Sequence, residues 1–157
     1  LQDNFQTKTG YGQNNTKIGD EKRMKQVNIR CPYCGSRAFL RPAWVVHKEK
    51  TEDPEARLYV CARYPACNSY VSAHKGTHLP MGTLASPDLR RKRIEAHEAM
   101  SRVMADRGMT RKQTYRWLQH QLGLPEEETH IGRFTEFRCR QVIALCDSFT
   151  HSAGRAA

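Results

Sequence analysis

The stretch Cys31-Pro32-Tyr33-Cys34-Gly35, answered by Cys61-Ala62-Arg63-Tyr64-Pro65-Ala66-Cys67, decides how this chain folds. It delivers four thiols as two pairs with 26 residues between them, and four thiolates are the ligand set of a tetrahedral structural Zn²⁺. The first pair has the Cys-x2-Cys spacing of a zinc knuckle. Gly35 removes a side chain where backbone N–H groups must approach the sulfurs. The second pair is wider, Cys-x5-Cys, and its Tyr64-Pro65 turn bends the chain back toward the metal. The expected cofactor is one structural zinc held by Cys31, Cys34, Cys61 and Cys67. Four thiolates leave no open position at which a water could be activated.

The six cysteines would also suit three disulfides in a secreted protein. Against this, the chain is polar from Gln2 to Gln26 and has no apolar signal-peptide core there. A knuckle spacing without a secretory signal favours reduced, metal-bound thiols in a cytoplasmic protein. No run approaches the ~18 apolar residues of a membrane span, so no membrane partner is expected.

Composition agrees with a metal-stapled fold. Only 38% of the 157 residues are hydrophobic, a thin core for the length, and a metal is a common remedy in a segment that buries too little apolar surface. Zinc binding in such modules contributes on the order of 10–16 kcal/mol, inseparable from folding. The formal net charge of +10 points to a polyanionic partner, nucleic acid first.

Outward from the cysteines, Ala38-Phe39-Leu40 and Ala43-Trp44-Val45-Val46 read as strand interrupted at Pro42. Leu58-Tyr59-Val60 leads into the second pair and Tyr70-Val71-Ser72 leaves it. The charged segment from Lys48 to Glu55, with Asp53-Pro54, reads as a loop between them. The reading is an α+β chain: a small four-cysteine zinc ribbon of short antiparallel strands, then a three-helix region. Residues 1–30 form a polar, flexible arm with six basic and three acidic side chains. Residues 31–80 form the ribbon, 81–150 the helical domain, and 151–157 a tail.

Ser86-Pro87-Asp88 starts a helix, with a capping hydroxyl, a proline at the first helical position and an acid near the positive end. It runs to Arg107 and stops at Gly108, with Arg93, Ala96, His97, Met100, Val103, Met104 and Arg107 on one face. Thr110-Arg111-Lys112-Gln113 is a capping box for a second helix, which Gly123 terminates. A third helix spans about 135–148, with Cys139, Val142, Ile143, Cys146 and Phe149 inward. Residues 86–123 hold nine basic and four acidic side chains, and two helices joined at Gly108-Met109 allow a helix-turn-helix-like arrangement. His74 and His78, with His130 and Cys139, are candidates for a second metal site, although loop histidines and helical cysteines by default need no ligand role.

The Cys-Pro-x-Cys-Gly segment, the aromatic strand and the closing Cys-x2-Tyr-Pro-x-Cys resemble the C-terminal zinc ribbons of bacterial type I topoisomerases over residues 31–73. That resemblance implies cysteine metal ligands and single-stranded DNA binding; the long charged insertion between the pairs departs from it. From residue 31 to about 146 the order of ribbon, His-Lys-Gly-Thr loop and helices is similar to small zinc-finger proteins of phages and prophages. The resemblance implies a bacterial or phage-infected host cell and brings no established activity.

The leading functional reading is a non-catalytic nucleic-acid-binding protein, with DNA, single-stranded included, as the expected partner. Its phosphate contacts would come from Arg90, Arg91, Lys92, Arg93, Arg111, Lys112 and Arg116, and base stacking from ribbon aromatics such as Tyr64, Tyr70, Trp44 and Tyr59. The alternative is a protein-interaction module docking on a host or replication protein. An enzyme is not expected: no carboxylates and histidines pair at a recognisable spacing, and no Gly-rich phosphate loop precedes a helix.

Overall fold

The computed structural model describes residues 27–152. The expected arm therefore lies outside the described residues up to Gln26, and the expected tail does so beyond Ser152.

Three antiparallel strands, β1 (Ala38–Pro42), β2 (Arg57–Cys61) and β3 (Tyr70–Ser72), form one sheet in the order β1-β2-β3. The register pairs Ala38 with Cys61 and Pro42 with Arg57, then Leu58 with Ser72 and Val60 with Tyr70. Alternation along each strand sends side chains to opposite faces. Ala38, Leu40, Tyr59, Cys61 and Val71 pack on the face that also holds Leu84 and Ala73. Leu58 and Val60 pack on the other, beneath Ala43, Val46, Tyr64 and Tyr70.

One element differs from expectation. Trp44–His47 is a single helical turn, α1, rather than a continuation of strand. Strand pairing ends at Pro42–Arg57 because β2's chain turns away at Asp53, whose carboxylate accepts from the Glu55 N–H at 2.9 Å. The Ala43 N–H makes one last cross-chain bond, to Ala56 O, and beyond it partners are local: the N–H groups of Val46 and His47 both donate to Ala43 O. The β-propensity of Val45-Val46 loses to the absence of a ladder partner.

The helical half is α2 (Pro87–Arg107), α3 (Arg111–Leu122) and α4 (Glu136–His151). The caps are local chemistry. Ser86 Oγ accepts from the Leu89 N–H, Thr110 and Gln113 close a reciprocal capping box, and Thr135 Oγ1 accepts from the Arg138 N–H. Gly108 and Gly123 end their helices at φ of 60° and 63°, the left-handed conformation that favours glycine. His151 is the last residue of α4, so the helix runs past the expected end at 148. The core between α2 and α4 uses small side chains: Ala96, Ala99, Val103, Cys139, Val142 and Cys146 are all buried, with Met100, Leu118, Ile131 and Phe134 filling around them. Trp117 stacks on Phe149 with ring centroids 4.7 Å apart, bringing α3 onto α4.

A strap joins the two halves. Tyr70 and Ala85 exchange backbone hydrogen bonds, and the Thr83 N–H donates to Gly132 O at 3.0 Å. There the backbones touch. A Cβ built on Gly82 would lie 1.9 Å from Gly132 O, so only glycine fits.

Candidate metal centre and surrounding surface

The strand pairing brings the two cysteine pairs together, because Cys61 ends β2 opposite Ala38 while Cys31 and Cys34 sit in the turn just before β1. Gly35 carries φ of 70°, which lets the chain reverse there; its N–H donates to Cys31 O and the Cys31 N–H to Ser36 O. After Cys61 the turn includes a cis Tyr64–Pro65 peptide, and the Cys67 N–H bonds back to Arg63 O at 2.9 Å.

The four sulfurs lie within 4.8 Å of one another. Cys31 Sγ is 3.6 Å from Cys67 Sγ, and Cys34 Sγ is 3.4 Å from Cys61 Sγ. A tetrahedral zinc with bonds near 2.3 Å spaces its sulfurs by about 3.8 Å, so the cage already has the required size. None of the six cysteines is in a disulfide. The donor set suits zinc: four sulfurs and no oxygen ligand.

The surroundings tune the quartet. Buried Ser69 places its hydroxyl 3.0 Å from Cys31 Sγ and 3.1 Å from Cys67 Sγ. Hydrogen bonds from the Ser36 side chain and backbone hold the Cys34 thiol down at about 6. For Cys31, burial pushes upward but is outweighed by Ser69 and the backbone N–H groups of Tyr33 and Cys34, so its pKa falls below the ordinary thiol value. Burial pushes Cys61 up to about 12. Cys67 is drawn down by Ser69, yet burial and the neighbouring thiols leave it above its ordinary value. Hydroxyl and backbone hydrogen bonds thus lower the first pair of thiols, while Cys61 and Cys67 stay above the ordinary value and depend on a divalent cation to lose their protons.

A family model for a zinc-finger-containing domain matches residues 27–148. The chain belongs to that family. No curated protein and no solved structure matches it. The zinc finger is the four-cysteine centre, and this zinc-finger domain holds one structural zinc through Cys31, Cys34, Cys61 and Cys67.

Among the described residues no other group of three or more His, Cys, Asp or Glu converges. Cys139 is fully buried in the helical core, while His74 and His130 are exposed, so the candidates for a second site are not brought together. Burial pushes both Cys139 and Cys146 upward, the latter to about 11, and they pack as protonated small hydrophobes.

The cations expected to meet phosphate fall into three groups. Arg93 is turned inward. Only 8% exposed, it donates to Thr83 O at 2.8 Å, Thr83 Oγ1 at 2.7 Å and Phe134 O at 3.1–3.2 Å. It ties strap, α2 and the turn before α4 together, too enclosed to meet a phosphate; this corrects its placement among the surface cations. Arg90 is likewise engaged. It donates to Asn68 O, Asn68 Oδ1 and Ala85 O and lies 3.7 Å above the Tyr70 ring, so it holds the zinc loop against α2. Both sit on the face of α2 that meets the rest of the chain, which a run of four basic residues does not reveal.

Arg91 remains outside and Lys92 is half-buried, each in a 2.6 Å ion pair, with Asp88 and Glu95 respectively. Arg111, Lys112 and Arg116 are exposed on α3, and among the described residues no carboxylate lies within ion-pair distance of them.

The aromatics sort as well. Tyr59 is buried with its hydroxyl donating to His78 O at 2.7 Å. Tyr70 lies beneath Arg90 and edge-on to His47, and Tyr64 is half-buried on the second face of the sheet. Trp44, at 59% exposure, faces solvent. Three aromatics that sequence reasoning does not single out do so too: Phe137 on α4, Phe39, and Tyr33, the last accepting a 3.0 Å bond from the Ser86 N–H. Phe39 stands between Arg37 and Arg41, and Arg37 lies 5.7 Å from its ring centre. The period-two pattern Arg37-x-Phe39-x-Arg41, with Ala38 and Leu40 inward, is the sequence signal for this face. For Ser69 no local signal exists.

Proposed function

We propose that this zinc-finger domain binds nucleic acid, single strands by preference, without catalysing a reaction on it. The observation that carries the reading is the outer face of the edge strand β1. There Arg37, Phe39 and Arg41 interleave cation and exposed aromatic, with solvent-facing Trp44 just beyond. Aromatic platforms flanked by guanidinium groups suit unpaired bases, which stack, and the phosphates between them. The zinc, saturated by four thiolates, serves to hold this surface rigid. Arg111, Lys112 and Arg116 add a second cationic surface. On the resemblance of the chain order, we group the protein with small phage and prophage zinc-finger proteins.

The test is a binding titration of the zinc-loaded chain against single- and double-stranded oligonucleotides at two salt concentrations. Affinity should fall steeply with salt. Phe39→Ala should cost about tenfold, within the range of one lost base stack. Absence of binding at moderate ionic strength, or a flat salt dependence, sinks the reading.

A protein-docking reading has one observation of its own. Exposed Met81 and Ile94 line an open groove of 230 Å³ between strap and α2, floored by Tyr70, Arg90 and Arg93. Binding to nucleic acid that Ile94→Asp leaves intact, with a nuclease-resistant partner lost, would favour this second role.

A further inference from the structure

The first two turns of α3 border a second concavity, a 380 Å³ groove lined by Arg111, Lys112, Tyr115, Arg116, Gln119 and Glu126. Spacings of one, four, five and eight residues put Arg111, Lys112, Tyr115, Arg116 and Gln119 on one helical face. Glu126 comes from the 3₁₀ turn that follows Gly123, so it closes the far end. The groove is electrically lopsided. Three cations line it against one carboxylate, and the whole Glu126–Glu128 turn to which that carboxylate belongs is exposed.

We infer that this groove is a phosphomonoester site that takes the terminal phosphate of a nucleic-acid strand; the strand-end assignment rests on the nucleic-acid reading above. Charge decides between a terminal and an internal phosphate. Three cations against the single lining carboxylate leave two positive charges in surplus. A phosphomonoester carries about −1.5 to −2 at neutral pH, whereas an internal diester carries only one negative charge. A strand that continues beyond the groove also brings further phosphates near the exposed Glu126–Glu128 turn, whereas one that ends there brings none.

The remaining lining suits what is attached to that phosphate. Arg111 lies 5.6 Å from the Tyr115 ring centre, so its planar guanidinium is already positioned over an aromatic. Tyr115 offers apolar surface to a sugar or base, and Gln119 and Glu126 offer acceptors to hydroxyl or amino groups. The capping box engages the Thr110 and Gln113 N–H groups, and the charge that matches the phosphate comes from the side chains. Volume agrees, since small-ligand pockets run from about 300 Å³ upward.

The zinc-loaded chain is titrated with one short single strand in three forms: 5′-phosphorylated, 3′-phosphorylated, and hydroxyl at both ends. A nucleoside monophosphate, its nucleoside and inorganic phosphate are titrated alongside. At least one phosphorylated strand should bind about tenfold tighter than the hydroxyl-ended one, equivalent to ~1.4 kcal/mol. Arg116→Gln should erase that preference, weakening the phosphorylated strand by about tenfold more than the hydroxyl-ended one, with its melting temperature as the check on folding. Glu126→Gln should tighten every anion and narrow the preference. Equal affinity for all three strands, or an Arg116→Gln variant that weakens all three in parallel, overturns the strand-end assignment. If no strand binds, the nucleic-acid reading fails. The groove then stands as a nucleotide site only if the monophosphate outbinds its nucleoside and loses that advantage in Arg116→Gln. Failure of the monophosphate as well overturns the site.

Discussion

Replacing Arg93 separates a structural cation from a phosphate-binding one. In Arg93→Met the side chain keeps roughly its length but every donor disappears. Phe134 O then loses both of its guanidinium partners in a buried setting, and Thr83 loses partners at its carbonyl and hydroxyl. An orphaned buried acceptor costs about 1–3 kcal/mol. Phe134 is 5% exposed and carries the full penalty, whereas Thr83 is exposed and water restores part of what it loses. Relief from burying a charge offsets some of this, as does the apolar methionine. The net expectation is a loss of about 2 kcal/mol, a drop of ~1 M in urea midpoint for a slope near 2 kcal/mol per molar. Urea unfolding with zinc in excess measures it. Arg91→Ala, whose side chain is 69% exposed, is the control and should leave the midpoint unchanged. An unchanged midpoint in Arg93→Met together with weakened nucleic-acid binding would refute the reasoning and return Arg93 to the surface group.

Three further outcomes follow from the geometry. Gly82→Ala should destabilise the strap and raise exchange of the Thr83 amide, because its Cβ would meet Gly132 O at 1.9 Å; unaltered exchange would contradict the close approach. Zinc titration at about pH 7.5 should release fewer than four protons per metal, because the Cys34 thiol sits at about 6 and has already lost its proton, while Cys61 at about 12 has not. A lowered thiol pKa means less proton to give up at that pH, so Ser36→Ala, which frees Cys34 to rise, should increase the count; calorimetry in buffers of different ionisation enthalpy reads it. Chelation should loosen the first turn of α2 before the α2–α4 core, because Tyr33 accepts from Ser86 and Asn68 accepts from Arg90 beside the metal ligands. Amide exchange that rises uniformly along α2 would count against that coupling.

The features legible in the sequence share one property: each is decided within a few residues. The starts of α2 and α3 follow from Ser86-Pro87 and Thr110-x-x-Gln113, and their ends from Gly108 and Gly123, because a cap satisfies groups only three or four positions away. The inward faces of α2 and α4 follow from helical spacing, Arg93 included as a member of the buried stripe. The segment at Trp44 misleads because a strand needs a partner, and whether one is present depends on where the opposite chain turns.

The metal is written in the chain itself. Ligand type and spacing specify a thiolate cage wherever the backbone allows one to form, and the strands beside it are pinned by register. The roles of the charged and aromatic residues emerge only once the chain is folded. Arg90 looks like its neighbours Arg91 and Lys92 until the acceptors Asn68 and Ala85 are brought to it, and Arg93, inward by spacing, gains its tying role only from Thr83 and Phe134. Tyr59 and Phe39 look equally fit for stacking until packing buries the first and leaves the second beside Arg37. A cysteine pair carries its purpose in its spacing, whereas a guanidinium or a ring takes its purpose from the surface it finds, and distant parts of the chain build that surface.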